Sequence, residues 1–324
     1  MAVLVTGGAG FLGSHLVDRL VRAGEHVVVA DDLSTGRLAN LEWALASGNA
    51  TFVYVDLSAP ADSVCDTLRA ATDDGYSEIF HLASPASPVA YGSRPWETLA
   101  VNGIGTMTLI DFALANNAAM LFTSTSEAYG DPLVHPQPET YFGNVNPVGP
   151  RACYDEGKRF GEAAMSVAIR ERGLGGRIVR IFNCYGPRMD VEDGRLIPSL
   201  MAAARDGKPL PIHGDGSQTR SMTYVDDLVD GLITMSERTD LGALPVNLGS
   251  EEELSVAEIA RAVAEVAGVP YRIESLPVRP EDPKQRRPET TRARSLGWTA
   301  KTPLHEGLRQ TYAWLLSDAL LYAS

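Results

Sequence analysis

The sequence predicts an α/β protein with a doubly wound parallel sheet and a smaller C-terminal substrate lobe. Short runs of β-branched and other apolar residues alternate with longer segments of helical periodicity. A glycine-rich turn joins the first run to the first helix. After Asn183 the texture changes, and Pro and Gly become frequent in long loops.

The strand-like runs are VLVTG from Val3, HVVVADD from His26, TFVYVDL from Thr51, EIFHLAS from Glu78, MLFTSTS from Met120 and GRIVRIFN from Gly176. They are apolar almost without interruption, as strands covered on both faces require. Helical segments such as SHLVDRLVRAG from Ser14 and VNGIGTMTLIDFALANN from Val101 lie between them. The expected organisation is a dinucleotide-binding Rossmann domain over 1–182, rejoined by the chain at about 221–250, with 183–324 forming mainly the substrate lobe. No internal repeat or low-complexity tract interrupts this order.

A net charge of -13 argues against general nucleic-acid binding, which needs clustered Lys and Arg. Cys65, Cys153 and Cys184 are far apart and odd in number, without CxxC or Cys/His spacing, so no metal site or disulfide framework is expected. Free cysteines fit a reducing compartment. The chain begins directly with a strand and turn, and no apolar run approaches the roughly 20 residues of a membrane span. The expectation is a cytoplasmic protein.

In VLVTGGAGFLGSHLVDRL the glycines at 7, 10 and 13 serve a tight turn, close approach to a pyrophosphate, and close helix–strand packing. The pyrophosphate would sit on the helix N-terminus. Asp31, 18 residues beyond Gly13, ends the second run, where an acid binds ribose hydroxyls and favours NAD over NADP. Arg37, in the following DLSTGR, pulls toward a 2′-phosphate. Asp56 and Leu57 end the third run, either bracketing the adenine or simply closing a strand.

In GPRACYDEGKR, Tyr154 and Lys158 are four residues apart and share a helix face. By itself the pair reads as a solvated face. Beside a dinucleotide turn it reads as an acid–base centre, because an ammonium and an oxidised nicotinamide both lower a tyrosine pKa from about 10. Pro150 is a rigid first-turn residue for this helix.

With HLASPASP, TSTSEAYGDP, NVNPVGPRACYDEGKR, RIFNCYGPRMDVEDGR, GDGSQTRSMTYVDDLVDGL, VNLG and DPKQRRPE, the chain resembles, over nearly its whole length, the extended short-chain dehydrogenases/reductases that modify nucleotide sugars. Within them it is most similar to the UDP-glucuronate decarboxylase group, and NPVGPRACYDEGKR is the most specific stretch. The resemblance implies NAD as cofactor. Tyr154 would be the acid/base, supported by Lys158, with Thr125, Ser126 and Glu127 at the strand end and Arg220 at the substrate. Ser126 stands where dehydratases carry an acid, which argues against dehydration; Glu127 argues against simple epimerisation. Cofactor contacts would come from Gly7, Gly10, Phe11, Leu12 and Gly13; from Asp31, Leu33, Ser34, Thr35 and Gly36; from Asp56 and Leu57; from Leu82, Ala83, Ser84 and Ala86; and from Asn102. Asn183, Arg188, Arg195, Arg279 and Arg286 would serve the UDP moiety. None of the six histidines falls where the family needs one, and His81 reads as a packed strand residue. Ala128 and Cys184 depart from the family's commoner Val and Thr.

The implied reaction is oxidation of the sugar at carbon 4, loss of carbon dioxide from the resulting β-keto acid, and return of the hydride, with NAD recycled. A 4-epimerase acting on a UDP-sugar would share the first step. A non-catalytic NAD(H)-sensing protein on the same fold would tolerate loss of Tyr154, Lys158 or Glu127. The resemblance also implies a homodimer through a four-helix bundle formed by the segments from Val101 and Arg151.

Overall fold

The computed structural model describes residues 1–278 and 283–322. Six of the seven strands of its central sheet coincide, with ends within three residues, with the six apolar runs: β1 (Ala2–Thr6), β2 (Val27–Asp31), β3 (Ala50–Tyr54), β4 (Tyr76–His81), β5 (Ala119–Thr125) and β6 (Gly176–Ile181). The seventh, Val246–Leu248, pairs in parallel with β6 and is too short to stand out as a run. The spatial order is Val246–Leu248, β6, β5, β4, β1, β2, β3, all parallel. The winding reverses between β1 and β4, and the crevice beyond their carboxyl ends is where open α/β sheets bind ligands.

Strand periodicity decides which residue faces which layer. Val3 and Val5 of β1, with Val27 and Val29 of β2, enter one apolar core; Ala2 and Leu4, with Val28 and Ala30, enter the other. The first core is closed by the helices Phe11–Arg22 and Val225–Ser236, the second by Ala61–Ala70, Thr106–Asn116 and Ala152–Arg172. Leu200, Ile212, Ile259, Val263, Trp298 and Leu308 of the C-terminal lobe belong to the first core. The lobe is therefore packed on the sheet's own core rather than around a separate one.

Three two-stranded ladders organise the lobe: Cys184–Tyr185 with Thr223–Tyr224, Leu210–His213 with Ile273–Leu276, and Thr219–Ser221 with Glu253–Ser255. Its helix Val256–Ala267 starts at a capping box in which Ser255 and Glu258 satisfy each other's backbone N–H groups.

Residues Pro95–Asn116 form one continuous helical rod with a π-helical turn at Val101–Gly105. An 18-residue window of this 22-residue rod has a mean hydropathy of 1.4, which makes it long and apolar enough to cross a membrane by length and composition, although Asn102, Thr106 and Asp111 interrupt it as an apolar run. Leu109, Ile110 and Phe112 of the rod are nevertheless core residues beneath the sheet, and that packing accounts for much of its apolarity.

Arg188 adopts a left-handed backbone (φ 67°) and donates from Nη2 to the buried Asp18 Oδ2 at 2.7 Å, tying the loop after β6 to the first helix. Replacing Asp18 with Asn would weaken a charge-assisted bond to a partly buried guanidinium. A loss of about 1–3 kcal/mol is expected, read as a lowered midpoint in urea unfolding; an unchanged midpoint would show that the pair is energetically idle.

Candidate active site

The glycine turn is fixed by backbone contact. A Cβ on Gly7 (φ 71°) would stand 2.7 Å from the Ala83 backbone, and one on Gly13 would stand 2.2 Å from the Gly7 carbonyl oxygen. The helix that follows has no side-chain cap at Gly10 and no acid in its first turn, so its N-terminal N–H groups face the cleft without a side-chain acceptor. This is a fit for a pyrophosphate. Asp31 accepts from Ala9 N–H at 3.0 Å and Leu33 N–H at 2.8 Å, so it braces the turn as well as facing the cleft. Burial pushes its carboxyl above the usual range. Arg37 instead donates to Asp190 at 2.8 Å and does not line the cleft, which removes the argument for a 2′-phosphate.

The cleft encloses about 1000 Å³ and runs from the glycine turn to the C-terminal lobe. Gly10, Phe11, Leu12, Leu33, Ser34 and Thr35 line it at one end; Asp56, Leu57, Leu82, Ala83, Ser84 and Ala86 continue the wall. Two expected cofactor contacts do not line it. Gly36 packs its backbone on Ala9, and Asn102 is fully buried, donating to Ser84 Oγ and Thr98 O at 2.9 Å each. Asn102 supports the wall from behind.

At the centre, the end of β5 meets the helix Ala152–Arg172. Thr125, Ser126, Glu127, Tyr154 and Lys158 all line the cleft. The Thr125 side chain neighbours the Tyr154 phenol and partly offsets the effect of burial on it, and Lys158 Nζ donates to Thr123 O at 2.9 Å. Burial pushes Tyr154 up to about 12 and Lys158 down to about 7, because each loses solvation of its charged form. The lysine thus reaches past the phenol to a strand carbonyl. The sequence expectation that its ammonium lowers the tyrosine is not met by the chain's own groups.

Sequence reasoning missed three supports. Tyr91 stacks on Tyr154, with ring centroids 5.2 Å apart and planes within 9°. Glu162, one turn beyond Lys158, accepts from Ser124 Oγ at 2.5 Å and takes a two-pronged grip from Arg180 at 2.8 and 2.7 Å. Arg151 reaches Glu127. Only the last left a trace in the sequence, as part of GPRACYDEGKR.

The arginines separate by position. Arg286 Nη2 donates to Glu127 Oε2 at 2.7 Å, and Arg151 Nη2 reaches the same oxygen at 2.6 Å. Against the upward push of burial, Arg286, Arg151 and Arg220 together hold this carboxyl below its ordinary range. Arg220 lines the cleft and donates to Thr219 O at 2.7 Å. Arg286 also donates to Asn183 at 3.3 Å, and Asn183 and Arg195 line the cleft, Arg195 paired with Asp193 at 3.2 Å. Arg188 does not line it: its guanidinium is committed to Asp18 on the first helix. Arg279 lies outside the described residues. His81 is fully buried between Thr6 (2.8 Å) and Thr106 (3.1 Å), and burial lowers its pKa, so it is a neutral packed residue. No cluster of metal-ligating side chains occurs among the described residues.

A glycine-cradled helix end facing a Tyr–Lys pair across the carboxyl ends of a parallel sheet defines a short-chain dehydrogenase/reductase. The chain belongs to the NAD dependent epimerase/dehydratase family, whose pattern matches residues 3–249. It is 44% identical over 310 residues to UDP-glucuronic acid decarboxylase 5 of Arabidopsis thaliana, covering 95% of this chain and 87% of that protein. Its fold matches a UDP-glucose 4-epimerase from Thermotoga maritima, solved with UDP-glucose, at a TM-score of 0.89 and 30% identity, covering 98% of this chain and all of the other. A dTDP-glucose 4,6-dehydratase from Streptomyces venezuelae, solved with NAD, matches at 0.87 and 26% identity over 99% of this chain and 98% of the other.

A Gly13→Ala substitution drives a methyl group into the Gly7 carbonyl. Relieving such overpacking costs about 1–3 kcal/mol, which corresponds to about a 5- to 150-fold loss if it falls on dinucleotide affinity. Fluorescence titration with NAD should show that loss, and unchanged affinity would rule out this turn as the pyrophosphate cradle.

Proposed function

We propose that the chain decarboxylates UDP-glucuronate to UDP-xylose through a 4-keto intermediate, with NAD as a recycled cofactor. The observation that carries this reading is Glu127: a largely buried carboxylate, held ionised by arginines, facing the same cleft as Tyr154, with Ser126 where a dehydratase would place its acid. The resemblance at NPVGPRACYDEGKR and the decarboxylase relatives support it.

The glycine turn, Asp31 and the wall from Leu82 to Ala86 would hold NAD. Bound in its oxidised form, NAD supplies a hydride acceptor and a positive ring charge that favours the phenolate. Tyr154 takes the proton of the sugar's 4-hydroxyl as carbon 4 is oxidised. The Thr125 hydroxyl, beside Tyr154, can donate to the ketone oxygen. The sugar is then a β-keto acid. Its carboxylate leaves as carbon dioxide, and the bonding electrons move into the ketone as an enolate. Glu127, as the carboxylate, orients a water that gives a proton to carbon 5; return of the hydride to carbon 4, with the Tyr154 proton returned to the oxygen on that carbon, completes UDP-xylose. Arg220 and Arg286 orient the carboxylate without neutralising it fully, since a ground-state clamp would oppose its departure. Lys158, bonded to Thr123 O and lowered toward neutrality, is suited to carry a proton behind Tyr154.

Dimerisation is part of the proposal. Ile104 and Met107 on the helical rod and Phe160 and Val167 on the Tyr154 helix are exposed, an apolar face of the kind two such helices per subunit would bury in a four-helix bundle. Ile104→Glu is expected to give a monomer in analytical ultracentrifugation, and an unchanged mass would place any dimer contact elsewhere.

Incubation with UDP-glucuronate should release carbon dioxide and form UDP-xylose, followed by mass spectrometry. Tyr154→Phe should reduce turnover by about 10²- to 10⁴-fold while UDP binding survives. Formation of UDP-galacturonate without carbon dioxide would establish the 4-epimerase instead. Near-normal activity of the Phe variant would overturn the role given to Tyr154.

A further inference from the structure

Arg151 occupies the N-cap position of the helix that carries Tyr154 and Lys158. Its guanidinium is partly buried and faces Glu127, Asp155 and Tyr91. Nη2 lies 2.6 Å from Glu127 Oε2, Nε lies 3.9 Å from Asp155 Oδ2, and the plane sits 5.9 Å over the Tyr91 ring that stacks on Tyr154. Arg286 grips the same Glu127 oxygen from the far lobe. The carboxylate is therefore held from both walls of the cleft, by one arginine fixed to the Tyr154 helix and one that also faces Asn183.

Charge explains why two guanidiniums are needed. On the decarboxylase reading, the substrate brings a second carboxylate beside Glu127. Two carboxylates sharing one guanidinium leave an unpaired negative charge in a dry site, and one of them then takes up a proton. Arg286, which lines the cleft on the substrate-lobe side, is the guanidinium an incoming carboxylate would claim.

We infer that Arg151 is a positioning residue: it keeps the Glu127 carboxylate in place and charged while Arg286 turns to the carboxylate of the sugar. The groups facing Glu127 are Arg151, Asp155 and Tyr154 from the Tyr154 helix, Tyr91 from the helix Pro88–Ser93, and Arg220 and Arg286 from the C-terminal lobe. Arg151 is the guanidinium among them that rides on the same helix as the acid–base pair. Asp155, pushed up to about 7 by burial and by Glu127, sits behind Arg151.

The inference rests on the decarboxylase reading and is tested in the full-length protein with Arg151→Met, Arg151→Gln and Arg151→Lys. Glu127 works as the carboxylate, and removing a nearby positive charge makes it easier to protonate. The acid limb of kcat/KM should therefore move upward by about one pH unit in the Met and Gln variants. Their activity should fall about tenfold at a pH within that limb and recover toward pH 8.5, while UDP affinity by calorimetry stays constant. The Lys variant should restore most of the limb. A loss that is equal at every pH, or confined to KM, overturns the inference. If Met does not fold, Gln decides alone: a limb at the wild-type position overturns the role, and a shifted one supports it. Failure of the wild type to release carbon dioxide would instead refute the parent reading, so the two failures are distinguishable.

Discussion

The near-complete burial of an ionised Glu127 just beyond β5 is the constraint on which the rest of the site depends. Taking a carboxylate out of water costs several kcal/mol unless charge and hydrogen bonds replace the solvent. No single element supplies that replacement. Arg151 comes from the start of the Tyr154 helix, Arg220 from a short strand of the second lobe, and Arg286 from the segment that returns toward the sheet. The charge thus holds both sides of the cleft together. Removing any one guanidinium leaves the same carboxylate less compensated.

Arg286 is itself held by backbone. Gln137 and Arg287 exchange two hydrogen bonds at 2.9 Å, and Ser221 N–H donates to the Arg286 carbonyl at 3.2 Å. Asn247, on the last strand of the sheet, ties this region down: it accepts from Tyr129 Oη at 2.8 Å and donates to the carbonyls of Gln137 and Glu289. A fully buried polar side chain with all these partners is a rigid joint. The sheet's edge strand therefore aims a cleft residue nearly 40 positions later in the chain.

Burial acts in opposite directions on the acid–base pair. It disfavours charge on both Tyr154 and Lys158, so the chain's own field favours a neutral phenol and eases proton loss from the lysine. A phenolate here needs positive charge delivered with a ligand, and an oxidised nicotinamide is a ligand of that kind. Glu162, charge-matched by Arg180, keeps the floor under Lys158 paired and ordered.

The sequence by itself determined the six long strands, the glycine turn, the acid Asp31 at the end of the second run, the Tyr154–Lys158 pair and the Thr125–Glu127 strand end. All of these are local: near-continuous apolar runs, glycine spacing and helical i,i+4 spacing are properties of short segments. Only the tertiary structure decided which guanidiniums serve Glu127. Arg188 sits in the resemblance-bearing loop yet turns to Asp18, Asn102 supports the wall from behind, and Arg151 enters the site through a contact 24 residues away in sequence. A long flexible side chain can reach several partners, and its sequence neighbours do not say which. The choice is made by the buried charge it must satisfy, and that charge exists only once the sheet, the Tyr154 helix and the second lobe have come together.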